Sequence, residues 1–186
     1  MKVLKPEEST EESTQKVPLV HIQRRYGIYR TYARQIAEYL KIRARLRDHP
    51  PIIEQVFGIV DTDHGLGLIV ERINGRDGGL APTLFAVVEA NGYSQELEDR
   101  ILRLRDETIR HEIITGDLHG GNIVCGHDAE HGERLVMVES IGDKTFIPVN
   151  TLSRYINRRS NERHFRHVIN GLKRLDASKK AGSSVA

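Results

Sequence analysis

An aspartate, an asparagine and a glutamate stand at spacings that suit phosphoryl transfer. Asp117 and Asn122 lie in the stretch Ile114-Thr115-Gly116-Asp117-Leu118-His119-Gly120-Gly121-Asn122-Ile123-Val124, and Glu139 follows the run Leu135-Val136-Met137-Val138. Short runs of Val, Ile and Leu bounded by Gly and Asp predict two strands of a hairpin, with Gly126 to Glu133 as its polar turn. Such a hairpin holds Asp117, Asn122 and Glu139 at one edge of a small sheet. In phosphoryl transfer one carboxylate takes the proton of the incoming hydroxyl, while an amide and a second carboxylate hold magnesium on the phosphates. Asp, Asn and Gly are also ordinary turn residues. The trailing strand and its carboxylate favour the chemical reading over the purely conformational one.

The elements that must position these residues are legible as periodicities. Ala33, Ile36, Ala37, Leu40 and Ala44 recur at helical spacing and predict a helix from Ile28 to Arg47, ended by Asp48-His49-Pro50-Pro51. Its C-terminal end carries Lys41, Arg43, Arg45 and Arg47, where the helix dipole favours positive charge. Val56 to Thr62 and Leu66 to Ile73 read as two strands joined by Asp63-His64-Gly65. After the flexible connection Asn74 to Gly79, a helix is predicted over Thr83 to Ala90, with Gly92 as its stop. A longer one runs from Ser94 to about Glu112, opened by a partial capping box, with Leu97, Ile101, Leu104, Ile109 and Ile113 on one face. Beyond Pro148, Phe165, Val168, Ile169, Leu172 and Leu175 mark one apolar stripe on a basic helix.

The totals narrow the function classes. A chain of 186 residues is about one domain, and 38% hydrophobic with 29% charged residues is ordinary for a soluble protein. A net charge of +2 announces neither a nucleic-acid nor a membrane partner. From Thr151 onward there are nine Lys or Arg against two acidic residues. A charge run of this kind is usually a solvated helix face, and the lack of interleaved aromatics disfavours nucleic acid. The single cysteine, Cys125, follows an apolar run and reads as a buried structural thiol in a reducing compartment. No apolar run reaches the ~18 residues of a membrane span. With no signal-peptide core at the start, a cytoplasmic protein is expected. His111, His119, His127 and His131, with Asp117 or Asp128, invite a zinc reading. It is disfavoured, because two of them fall in the hairpin turn and His111-Glu112 lacks a second helical His.

The order of helix, hairpin, connector, helices, Asp-x-x-x-x-Asn loop and second hairpin resembles a protein-kinase-like fold from its first N-lobe helix onward. Gly116-Asp117-Leu118-His119-Gly120-Gly121-Asn122 resembles the catalytic loop of aminoglycoside and choline kinases, where Gly-Asp-Leu-His-x-x-Asn is typical. A closer resemblance is to the YrbL family of PhoP regulatory network proteins, a small bacterial kinase-like group. Asn122-Ile123-Val124-Cys125 and Ser140 to Pro148 are similar to that family's segments, and an Arg-rich helix follows in both.

The resemblance implies an α/β (α+β) kinase-like fold, with a mainly helical C-lobe and a truncated N-lobe. Residues 1–73 would form the partial N-lobe, 74–176 the C-lobe, and 177–186 a disordered tail. It places Asp117 as catalytic base and Asn122 and Glu139 on metal. Lys2 would be the ATP-contacting lysine, Glu38 its partner, and Val70 to Asn74, with Val70, Glu71 and Ile73, the hinge beside adenine. ATP and Mg²⁺ are the implied cofactors, with a small-molecule or protein acceptor that no motif names. The departures are specific. No glycine-rich loop precedes Lys2, so the sequence reads as a family member started at an internal Met. Thr115 stands in place of the catalytic-loop His, and Glu139 in place of a shorter Asp. Two expectations follow: an ATP- and Mg²⁺-dependent phosphotransferase, or a pseudokinase-like regulatory module in PhoP-linked signalling.

Overall fold

Two hairpins and four helices account for most of the chain in the computed structural model, which describes residues 2–3, 27–46, 48–139, 141–142 and 153–183. Ser140 and the run Asp143 to Pro148, which carry part of the family resemblance, lie outside the described residues. The fold is mixed α and β, with small antiparallel sheets.

The first sheet has the order β1-β3-β2, built from β1 (Lys2–Val3), β2 (Val56–Thr62) and β3 (Gly65–Val70). β1 is described as backbone only, with Lys2 opposite Leu68. The tight turn between β2 and β3 needs Gly65, whose φ is +100°. A Cβ there would also lie 2.7 Å from the Tyr29 hydroxyl, which accepts the Leu66 N–H at 3.2 Å. β3 stops at Val70, short of the predicted Ile73: the Glu71 N–H still reaches the Gln55 carbonyl at 2.8 Å, but Ile73 pairs with the connector, its carbonyl accepting the Ala81 N–H.

Helix α1 (Arg30–Arg45) follows a short 3-10 turn, Gly27–Tyr29. Its buried face is Tyr32, Gln35, Glu38, Tyr39 and Ile42. The apolar stripe expected from the sequence does not supply that face, and Leu40 is 60% exposed. Two polar side chains point inward because the core offers them partners, described below.

Helix α2 (Leu84–Asn91) is capped by Thr83, whose hydroxyl accepts the Ala86 N–H, and ends at Gly92 with φ +80°. Helix α3 (Gln95–Arg110) is capped by Ser94, whose hydroxyl accepts the Leu97 N–H at 3.2 Å. Leu97, Ile101 and Leu104 face the core as expected, joined by Thr108, whose hydroxyl turns back to the Leu104 carbonyl at 2.7 Å. Helix α4 (Arg154–Ser183) extends past Ala177, into the segment expected to be a disordered tail. Its stripe Phe165, Val168, Ile169 and Leu172 is buried against α2 and α3.

The second hairpin pairs β4 (Ile123–Asp128) with β5 (Gly132–Met137), Ile123 opposite Met137 and Asp128 opposite Gly132. The turn is shorter than the predicted Gly126 to Glu133, because the polar residues at both ends of that span still pair. Asp128 Oδ1 accepts the N–H groups of Glu130 and His131, which closes the turn. On the other side of β5, Ile53 forms a parallel bridge to Met137, bringing the segment after α1 alongside the hairpin. No described helix is long and apolar enough to cross a membrane.

Candidate functional site

The site grows from the C-terminal end of α3. Glu112 takes a left-handed backbone, φ +48°, which turns the chain out of the helix. Ile113 and Ile114 then bury their side chains almost completely. Every backbone group so buried must find a partner, and three elements supply them. From α1, Glu38 Oε1 accepts the Ile114 N–H at 3.2 Å. From α4, the side-chain amides of Asn161 and Asn157 donate to the Ile113 carbonyl at 2.9 and 3.3 Å. Past the second hairpin, the Gly142 N–H donates to the Ile114 carbonyl at 2.9 Å, and Ile141 bridges Thr115.

Beyond Thr115 the chain reaches solvent at Asp117 and returns to the core at Leu118. His119 stacks on Phe85 at 6.1 Å between centroids, and its Nδ1 accepts the Gly121 N–H at 3.1 Å. Gly120 is required there, since a Cβ would lie 2.7 Å from the Phe85 ring. A 3-10 turn, Gly120–Asn122, carries the chain into β4.

Asn122 joins the expected site residues. Its Nδ2 donates to the Asp117 backbone carbonyl at 3.1 Å, and its own carbonyl accepts the Val138 N–H at 2.9 Å. Asp117, Asn122 and the residue before Glu139 are thus tied at the open end of the β4–β5 hairpin. Glu139 is exposed and holds a left-handed backbone, φ +63°. Non-glycine residues in that region cluster at functional sites, held there by their surroundings.

What holds Glu139 is Glu54, a residue that the sequence reading missed. The residue is 2% exposed. Oε1 accepts both the Glu139 N–H at 2.9 Å and Gln35 Nε2 at 2.7 Å. Asn157, Asn161 and His164 were also missed. Their signal was present in the spacing, since 157, 161 and 164 continue the stripe of Phe165 and Val168 toward the helix N-terminus.

The remaining candidates lie apart from this group. Glu38 directs Oε1 to Ile114 and has Lys41 Nζ 3.5 Å from Oε2. Burial raises its pKa, with Lys41 opposing. Lys2 is known only through its backbone, so its pairing with Glu38 lies outside the described side chains. Val70 closes β3 opposite Val56. Glu71 carboxylate oxygens accept Arg134 Nη2 at 2.7 Å and the Gln55 N–H at 3.1 Å. Ile73 is buried in a small apolar cluster with Ala81, Val124 and Val136, against which Val138 packs. The connector hugs the hairpin so closely that a Cβ on Gly126 would lie 2.6 Å from Ile73.

Among the described residues no three His, Cys, Asp or Glu side chains gather as a metal cluster. His131 pairs with Asp128 at 3.1 Å, away from His119 on Phe85. The Cys125 thiol is pushed up by burial, the opposite of an activated nucleophile.

A family model described as PhoP regulatory network protein YrbL matches residues 1–173. The chain belongs to that family. It is similar to the "Uncharacterized protein YrbL" of Escherichia coli (strain K12), with 29% identity over 139 residues. The protein of the same name from Shigella flexneri matches equally. The matched part is 73% of this chain and 66% of the relative, just under two thirds of its length. Family membership ties this YrbL-family chain to the PhoP regulatory network by name. It assigns no reaction to Asp117, Asn122 or Glu139.

Proposed function

We propose that this YrbL-family chain is a kinase-like phosphotransferase module that uses Mg²⁺-ATP. The observation that carries the reading is the Asn122 amide donating to the Asp117 carbonyl, with Val138 N–H on the Asn122 carbonyl. These two bonds tie the backbone segments that carry Asp117, Asn122 and Glu139 to one hairpin mouth, which supports a reading in which positioning does most of the catalytic work.

In this reading Asp117, exposed on its loop, accepts the proton of the attacking hydroxyl. Asn122 spends Nδ2 within the loop, which leaves Oδ1 as the outward acceptor suited to a hard cation. Asn122 Oδ1 and the Glu139 carboxylate would hold Mg²⁺, which normally takes only one or two carboxylates and completes its shell with phosphate and water. When bound, the ion neutralises and aligns the phosphate oxygens. The adenine would lie beside the connector at Val70, Glu71 and Ile73, whose shape is held from beneath by the buried cluster of Ile73, Ala81, Val124 and Val136. The Ile73 carbonyl is already taken by the Ala81 N–H at 3.0 Å, which holds the connector in shape.

The second reading is a non-catalytic, pseudokinase-like regulatory module in PhoP-linked signalling. Glu38 favours it, because its carboxylate is engaged by the Ile114 N–H and Lys41 rather than standing ready for a nucleotide-contacting lysine.

Melting curves with and without Mg²⁺-ATP test the first reading, since a ligand bound only to the native state raises the melting temperature. A rise with millimolar nucleotide, lost in Glu139→Ala, supports it. Coincident curves would overturn it. A rise without phosphate transfer, unchanged by Asp117→Asn, would instead support the regulatory module.

A further inference from the structure

Behind Asp117 lies a buried chain of hydrogen bonds whose donors and acceptors can be assigned completely. Asn161, fully buried, donates Nδ2 to the Ile113 carbonyl at 2.9 Å. Its Oδ1 therefore faces Thr115, whose hydroxyl is 2.7 Å away. An amide oxygen only accepts, so the single hydroxyl proton of Thr115 goes to Asn161. The lone pairs that remain on Thr115 Oγ1 meet His164 Nδ1 at 2.9 Å. That nitrogen must donate, and the neutral ring therefore carries its proton on Nδ1 and a lone pair on Nε2.

The position of this ring is informative. Thr115 occupies the place where the resembling kinase loops carry a histidine, and helix α4 returns an imidazole to the same loop from far along the chain. The charged groups acting on His164 are Arg163 and His167 of α4 and, from the loop, Asp117. Among the described residues the only buried side-chain nitrogen or oxygen without a partner is His49 Nδ1, so His164 Nε2, which no described group bonds, is reachable from solvent.

We propose that His164 is a positioning residue for Asp117, held as the Nδ1–H tautomer by the Thr115 hydroxyl so that Nε2 is the basic atom acting on the catalytic-loop carboxylate. This inference rests on the phosphotransfer reading of Asp117. With the ring neutral, the carboxylate is left to take the proton of the acceptor hydroxyl. Protonation at Nε2 leaves the Thr115 bond intact and adds a positive charge that acts electrostatically on Asp117, which makes the carboxylate a weaker base. Phosphotransfer therefore rises with pH through the titration of His164.

The test is nitrogen-15 NMR of the ring in the full chain, titrated between about pH 5 and 8. The neutral His164 ring is expected to show a protonated Nδ1 and a bare Nε2. Thr115→Val should remove that preference, and Thr115→Ser, which keeps the hydroxyl, should retain it. Asp117→Asn, a substitution on the exposed loop, should lower the His164 midpoint, because the lost carboxylate favoured the charged ring. A proton on Nε2 in the neutral wild-type ring, or an unchanged midpoint in Asp117→Asn, would overturn the proposal even if Thr115→Val fails to fold. Mg²⁺-ATP is then added to the wild type. No melting shift alongside the expected tautomer and midpoint would instead sink the phosphotransfer reading, so the two failures are distinct.

Discussion

Glu54 Oε1 accepts the backbone N–H of Glu139 at 2.9 Å, across 85 positions of sequence. The same oxygen takes Gln35 Nε2 at 2.7 Å, so one buried carboxylate links helix α1 to the exposed residue at the mouth of the second hairpin. A non-glycine residue at positive φ costs roughly 1–3 kcal/mol and persists only where its neighbours over-determine it. Glu54 is one of those neighbours.

Removing that carboxylate should therefore act on both stability and the site. Glu54→Ala leaves the buried Gln35 amide and the part-buried Glu139 N–H without this acceptor and should cost about 2–4 kcal/mol in urea denaturation. Glu54→Gln keeps an acceptor oxygen of the same reach and should lose less than half as much. An equal loss in both variants would mean that the charge, rather than the acceptor, holds Glu139.

Glu139→Gly separates folding from function. Glycine accepts the left-handed backbone without strain, so stability should be retained or raised by up to about 1 kcal/mol. The melting shift produced by Mg²⁺-ATP should nevertheless disappear with the carboxylate. A variant that melts like wild type and still responds to Mg²⁺-ATP would remove Glu139 from the metal site.

Gly120→Ala should be destabilising for a reason of space. Its Cβ would lie 2.7 Å from Phe85 ring carbons and 3.1 Å from Leu172 Cδ2. Overpacking of this kind typically costs about 1–3 kcal/mol. The double variant with Phe85→Leu should recover part of the loss in a chemical-denaturation cycle, and strict additivity would refute the clash.

Arg134 reaches Asp128 Oδ2, Glu71 Oε1 and the Pro51 carbonyl at 2.7, 2.7 and 2.6 Å. The pKa of Asp128 is lowered to about 2, first by the His131 backbone N–H and then by side-chain bonds from Arg134 and His131. A lowered carboxylate pKa contributes stability above its unfolded value and loses it as pH falls through the folded one. Arg134→Met should raise the Asp128 midpoint toward the ordinary 3.8, read by NMR titration, and should loosen the contact between connector and hairpin.

Burial also sets how stability varies near neutrality. His49, His111 and His164 all have pKa values pushed below the ordinary 6.5 by desolvation. Between their folded midpoints and 6.5 the unfolded chain binds more protons, so stability rises with pH. Glu38, raised above 4.5 by burial, works in the opposite sense, its contribution fading as pH rises through its folded midpoint. Through the three histidines, the urea midpoint should be higher at about pH 7.5 than at about pH 5.5.

The sequence made much of this architecture legible wherever the signal was local. Thr83, Ser94 and Gly92 mark helix ends by their own backbone chemistry, and the stripe around Phe165 is a pattern within one helix. The inward face of α1 was hidden, because Gln35 and Glu38 look like solvated residues until their partners at Glu54 and Ile114 are known. Thr115 and His164 were obscured in the same way: each is unremarkable alone, and their pairing is made by the fold. That Asp117 and Asn122 share one loop, and that Glu139 follows the strand tied to it, was legible because a compact loop and a trailing strand are local patterns; the chemistry assigned to them is a proposal.

Glu112 gives the arrangement one last property. Its two carboxylate oxygens take Arg45 of α1 at 2.5 Å and Arg154 of α4 at 2.7 Å, while Glu38 and Gln35 of α1 grip Ile114 and Glu54 further along. Helix α1 is thereby bolted at several points along its length to the floor on which Asp117 stands. Helix and loop travel as a single piece.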